Sequence, residues 1–96
     1  MVPDVKKQGG YFMVTATSFQ TELDAIFLDA ARKGLSSIDV LSGDLHRGVG
    51  DYPGSNHRMP ICCNVMRQNM KPGDIVLREP PKGNGATVEI RYTIPR

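Results

Sequence analysis

The repeat of the apolar residues changes at Pro72-Gly73, and this change limits the folds that the chain can adopt. Before this dipeptide, apolar residues recur with the 3.6-residue period of amphipathic helices. After it, residues 88–94 alternate apolar and polar side chains, which is typical of a strand with one buried face. The sequence therefore predicts helices followed by strands, an α+β arrangement.

The first predicted helix covers residues 18–33. A hydroxyl of Thr17-Ser18 could cap the start of the helix by accepting from the first unpaired backbone N–H groups. Gly34 suits the position just after the last turn. The apolar residues form one stripe of a helix: Phe19, Leu23, Ile26, Phe27 and Ala30. This stripe predicts that one face of the helix packs on a core.

Two shorter helices are predicted in the middle of the chain. The first covers residues 43–49, with Ser42 as its cap. The second covers residues 60–70 and begins near Pro60, because proline is favoured in a first helical turn. Residues 51–55, which include a Pro-Gly pair, are predicted to form the turn between them.

Three strands are predicted, one of them between the first two helices. The segment 37–40 is short, and its polar and apolar side chains alternate as in a strand. Residues 75–79 are expected to form a second strand that pairs antiparallel with a third, residues 86–94. The segment 80–85 between the last two strands is rich in proline and glycine and is too long for a tight hairpin turn. Residues 1–16 lack a clear period and are predicted to be an N-terminal arm.

The order of these elements resembles that of the winged helix-turn-helix fold over about residues 17–95. The resemblance implies that the short first strand joins the final hairpin in a three-stranded sheet. It also implies that residues 60–71 are a recognition helix and residues 77–86 a wing. The combination of LHR-x-VG-x-YP with HRMP-x-CC-x-VM is similar to that of small bacterial proteins, which implies no function.

The chain of 96 residues is short enough for one domain, here residues 17–96, and its charge is unevenly distributed. Residues 1–55 carry five Lys or Arg against seven Asp or Glu, whereas residues 56–96 carry seven against three. The net charge of +2 is no signature of nucleic-acid binding by itself. The basic second half nevertheless favours a polyanionic partner.

The resemblance implies a DNA-binding surface on the helix over residues 60–71. With Ile61, Cys62, Val65, Met66 and Met70 toward the core, the opposite side would carry Cys63, Asn64, Arg67, Gln68 and Lys71. Arginine and the side-chain amides are the groups that read base edges in the major groove. Contacts to the DNA backbone are expected from Arg58, Arg78 and Lys82.

A protein-interaction module is the alternative, because any amphipathic helix needs polar residues outside and a fold does not fix a function. The apolar segment Tyr11–Val14 could then be a homodimer contact. A dimer would not separate the two interpretations, because helix-turn-helix proteins commonly pair on DNA.

The cysteines and histidines raise two further hypotheses, a metal site and a nucleophile. Adjacent Cys62 and Cys63 diverge by about 100° on a helix, so they are poor partners for one tetrahedral ion or one disulfide. A histidine, His46 or His57, could activate Cys63, but no acid that would orient it is evident. We expect no enzyme activity, no metal and no cofactor. Cys62 is expected to be buried and Cys63 partly exposed.

No apolar run approaches the roughly 18 residues that cross a bilayer. The segment MVPDVKKQGG lacks the apolar core of a signal peptide. The expected location is therefore the cytoplasm, without a membrane partner.

Overall fold

A computed structural model describes residues 15–50 and 58–96, and within these ranges it has an α+β architecture with three helices and three strands. The elements are, in chain order, α1 (Ala16–Arg32), β1 (Ser37–Leu41), α2 (Ser42–Val49), α3 (Met59–Gln68), β2 (Ile75–Arg78) and β3 (Glu89–Thr93). The predicted α+β class and element order are confirmed, and each predicted helix end lies within two residues of the observed one. None of the helices in the described ranges is long and apolar enough to span a membrane.

Two of the sequence-based expectations fall outside these ranges. The predicted arm, apart from its last two residues, and the predicted turn at residues 51–55 are not among the described residues. The same holds for the homodimer contact expected at Tyr11–Val14.

The three strands form one antiparallel sheet in the order β1-β3-β2. Ile90 of β3 lies between Val40 of β1 and Val76 of β2. The register of the β2–β3 pair shifts between Val76 and Arg78, which is an irregularity of the β-bulge type. The sheet thus has its last strand at the centre.

Helix α1 begins two residues before the predicted start, because its N-cap is Thr15 and not Thr17-Ser18. The Thr15 hydroxyl accepts from the Ser18 N–H, and the Ser18 hydroxyl accepts from the Thr15 N–H, which together form a capping box. At the other end Gly34 has a φ of +74°, and the Leu35 N–H donates to the Ala30 carbonyl. The predicted stop at Gly34 is therefore confirmed as a Schellman-type end.

The core lies between the sheet and the helices. Tyr92 of β3 is fully buried, packs edge-on against Phe27 of α1 at 4.9 Å between ring centroids, and donates its hydroxyl to the Met66 carbonyl of α3 at 2.8 Å. Burial raises the pKa of Tyr92, so the hydroxyl stays protonated as a donor. The side of β3 that faces the core contributes Val88, Ile90, Tyr92 and Ile94.

A buried ion pair connects the end of the chain to the segment between α3 and β2. The Arg96 guanidinium lies 2.9 Å from the Asp74 carboxylate, and their side chains are 6% and 0% exposed. Arg96 also donates to the Asn69 carbonyl and stacks on the Phe27 ring. Although burial raises the pKa of Asp74, hydrogen bonds from Arg96 and from two backbone N–H groups lower it to about 2.

We expect Asp74 to make stability fall in acid. The carboxylate has a lower pKa in the folded chain than its ordinary value of 3.8. Its contribution to the free energy of unfolding is therefore complete above about pH 4 and is lost as pH falls toward 2. From that difference, the lost free energy of unfolding is about 2 kcal/mol. Urea denaturation at several pH values between 7 and 2 measures it.

The matched variants are Asp74→Asn and Asp29→Asn. Asp29 pairs with Lys33 on the surface, where both side chains are more than half exposed, so its removal should change stability by less than about 1 kcal/mol. Asp74→Asn should lower stability at pH 7 and flatten the acid dependence. An acid profile that is unchanged in Asp74→Asn would contradict the assignment to this carboxylate.

Candidate nucleic-acid interface

The outer face of α3 is a narrow polar stripe. Exposed Lys71 lies three residues beyond the end of α3, and within α3 Pro60, Asn64 and Gln68 are exposed at intervals of four residues. Residues at these spacings share one face of a helix. The exposed face is narrower than the predicted one, and its two amides, Asn64 and Gln68, are open to solvent.

Cys63 does not belong to this face, and its predicted partial exposure is wrong. Its side chain is fully buried, and its thiol lies 3.4 Å from the Gly85 carbonyl. Gly85 belongs to the segment that joins β2 to β3, residues 79–88, which we call the β2–β3 loop. The loop folds back over this side of α3, a long-range contact that helical periodicity does not reveal.

The neighbouring thiol, Cys62, is buried as predicted and lies 3.6 Å from the Ser42 carbonyl. Burial raises the pKa of the Cys62 thiol to about 12, with a smaller contribution from Cys63. A thiol in this state is a poor nucleophile and a poor metal ligand at neutral pH. In the described part of the chain no three His, Cys, Asp or Glu side chains are grouped as metal ligands would be.

The N-terminal turn of α2 holds the returning half of the β2–β3 loop. The Ser42 N–H donates to the Val88 carbonyl at 2.8 Å, and the Gly43 N–H donates to the Ala86 carbonyl at 3.1 Å. The predicted capping role of Ser42 is wrong, because its hydroxyl donates to the Gly85 carbonyl, and the N-cap, Leu41, makes no side-chain bond. Residues 85–88 are therefore fixed by backbone and hydroxyl donors.

Arg67, a predicted reader of bases, is engaged inside the molecule. From the last turn of α3 its Nη2 donates to the Glu79 carboxylate at 3.0 Å and to the Gly83 carbonyl, and its Nη1 donates to Asn84 Oδ1. Its side chain is only 31% exposed. Arg67 and Cys63 thus lie on the side of α3 that the β2–β3 loop covers.

Arg78, predicted to contact the DNA backbone, pairs with Glu89 at 3.0 Å across the β2–β3 pair. The other predicted cations, Arg58, Lys71 and Lys82, are exposed and form no ion pair with any described residue. The structure thus brings Asn64 and Gln68 to one face of α3, with Arg58 at its start, Lys71 just after its end and Lys82 on the adjacent loop.

The start of α3 is tied to α2 by a buried histidine. Arg58 is the N-cap of α3, and its backbone N–H donates to Nε2 of His46 at 2.8 Å. The ring of His46 is fully buried and packs edge-on against Phe19 of α1 at 4.8 Å. This N–H is therefore engaged within the protein, while His57, the other histidine considered as a base for Cys63, lies outside the described residues.

No local pattern of residues indicates the partners of Arg67. Glu79, Gly83 and Asn84 come twelve to seventeen residues after it and share no motif with α3.

Comparison of the chain with protein-family models, curated proteins and solved structures gave no match.

The packing of α2 on the loop predicts opposite effects for two glycines of the same helix. A Cβ at Gly43 would lie 3.1 Å from the Ala86 carbonyl oxygen and 3.2 Å from the Ala86 Cβ, and that backbone is already hydrogen-bonded. A Cβ at Gly48 would meet only the carboxylate end of Glu22, which can rotate away.

Alanine is favoured over glycine within helices by up to about 1 kcal/mol. Gly48→Ala should therefore stabilise the protein, whereas Gly43→Ala should destabilise it by about 1–2 kcal/mol through overpacking. Thermal or urea denaturation of both variants measures the difference. Equal stabilisation by the two variants would show that the loop does not press on α2.

Proposed function

We propose that the chain is a winged helix-turn-helix domain that binds duplex DNA, with α3 in the major groove and the β2–β3 loop as the wing. The observation that carries the proposal is the pair of exposed amides on α3, followed by exposed Lys71 just after the helix and lying beside a loop that the protein itself holds in place. The element order and the sheet order β1-β3-β2 support the fold assignment.

The two amides of the stripe are suited to base readout. Asn64 and Gln68 are exposed, and no side chain of a described residue hydrogen-bonds to their amides, in contrast to Asn69, which bonds to Gln20 of α1 at 2.9 Å or less. An asparagine or glutamine amide pairs with N6 and N7 of adenine through two hydrogen bonds. We therefore assign base contacts to Asn64 and Gln68, and none to Arg67.

The electrostatic contribution comes from three cations. Along the chain, Arg58 precedes the amides at the N-terminus of α3, Lys71 follows them just after the helix, and Lys82 lies on the adjacent loop. Helix α3 has ten residues, and an α-helix with its side chains is about 10–12 Å across, which suits a major groove about 12 Å wide. The cations would then contact phosphates at the edges of the groove.

Fluorescence anisotropy with a random duplex at low salt tests the proposal. Three phosphate contacts predict that log K falls with log salt with a slope of about −2.7. Lys71→Ala and Lys82→Ala should each reduce the slope by about 0.9 and weaken binding to all sequences alike. The charge-matched control is Lys33→Ala at the end of α1, which should leave the slope unchanged.

Selection from a randomised duplex tests the readout. At a preferred site, Asn64→Ala or Gln68→Ala should cost about 1–3 kcal/mol and relax the preference at one base position. Absence of binding up to roughly 100 μM protein, which is within the range of ordinary non-specific affinity, would contradict the proposal. The stripe would then belong to a protein partner.

A further inference from the structure

Arg67 connects one end of the β2–β3 loop to its tip. Its guanidinium donates to Glu79, the first residue of the loop, and to Gly83 and Asn84 at the tip. Arginine has five N–H donors in a fixed planar arrangement, and three of its hydrogen bonds are made here to one loop. A single side chain from α3 thus brings together three points of the loop.

The outgoing half of the loop has few other attachments. Residues 85–88 are bonded to α2, but among the described residues the hydrogen bonds that join residues 79–84 to the helices all come from Arg67. Gly83 has a φ of +88°, a region that glycine enters freely. Without Arg67 this half of the loop would keep mainly the turn in which the Gly83 N–H donates to the Pro80 carbonyl.

Lys82 lies between the residues that Arg67 holds. It is exposed, precedes Gly83 directly and follows Glu79 by three residues, so its position depends on the bonds that Arg67 makes on both sides of it. The guanidinium also offsets the charge of Glu79, a carboxylate that would otherwise repel a phosphate near Lys82. Removing Arg67 therefore affects both the geometry and the charge at Lys82.

We infer that Arg67 is a positioning residue that holds the β2–β3 loop on α3 and so places Lys82 for contact with a phosphate of the duplex. This inference rests on the proposed function. It assigns Arg67 an indirect role, since its donors are directed at the loop and not at the solvent side of α3. A guanidinium that acted only as a direct phosphate contact would keep its contribution to the salt slope when another cation replaced it, whereas one that bridges three acceptors would lose its hold on the loop.

Arg67→Lys separates these two roles, because it keeps the charge and loses the planar set of donors. The control is Arg91→Lys, which makes the same exchange in the exposed pair with Asp39 on the sheet. In the free protein, amide hydrogen exchange at Gly83 should become about tenfold faster in Arg67→Lys and stay unchanged in Arg91→Lys. The Ser42 N–H, bonded to the Val88 carbonyl, should stay protected in both variants and reports that the fold is intact.

Anisotropy titrations at several salt concentrations measure the effect on DNA binding. Lys82→Ala should reduce the salt slope by about 0.9 in the natural sequence and by nearly nothing in the Arg67→Lys background, because Lys82 is already displaced there. Equal effects of Lys82→Ala in both backgrounds, with unchanged exchange at Gly83, would overturn the inference.

The two measurements also separate this inference from the proposed function. A natural chain that binds no duplex would overturn the proposed function and the DNA part of the inference, while the exchange rates in the free protein would still decide whether Arg67 holds the loop. Binding with an undiminished effect of Lys82→Ala in Arg67→Lys would leave the proposed function intact and refute the positioning role.

Discussion

The central position of β3, the last strand of the chain, is the constraint on which the rest of the structure depends. It pairs with β1 on one side and β2 on the other, and its inner side chains are buried against the helices. Tyr92 adds a hydrogen bond to the Met66 carbonyl, which fixes the strand to α3. The sheet and the core are therefore complete only when the final residues of the chain have been placed.

The β2–β3 loop joins edge strand β2 to central strand β3. It passes beside the helices before β3 begins. There it meets donors from two helices: backbone and hydroxyl groups of Ser42 and Gly43 in α2, and the guanidinium of Arg67 in α3. The loop is consequently part of the packed structure, and the exposed stripe of α3 is what it leaves uncovered.

Local patterns in the sequence were sufficient for the elements and insufficient for the contacts between them. The helical stripe and the alternation of residues 88–94 predicted three helices and the final strand, because each depends on one period of buried side chains. The sequence predicts that Cys63 and Arg67 lie on the outer face of the helix and that Ser42 caps α2, and the structure shows otherwise. Each of these three residues contacts the β2–β3 loop. The position of that loop depends on the pairing of distant strands, and no local sequence pattern indicates it.

The same limit applies to charge. Counting residues gave the second half of the chain a basic excess, but four of its seven cations, all arginines, form ion pairs with carboxylates: Arg67, Arg78, Arg91 and Arg96. The arginine side chain suits such internal bridges because its donors are many and fixed in direction. The remaining three cations comprise both lysines of this half, Lys71 and Lys82, together with Arg58.

A surface with three cations and two amides would bind DNA in a particular way. The sequence-independent attraction grows with the number of phosphates neutralised, so three contacts give weak binding to arbitrary duplexes. Base contacts by Asn64 and Gln68 do not depend on that number, and each good amide pair discriminates by about 1–3 kcal/mol. By using four arginines in internal ion pairs, the chain would lower its non-specific affinity without weakening base readout. Preference among sites would then rest on the geometry of α3 relative to a loop that Arg67 holds.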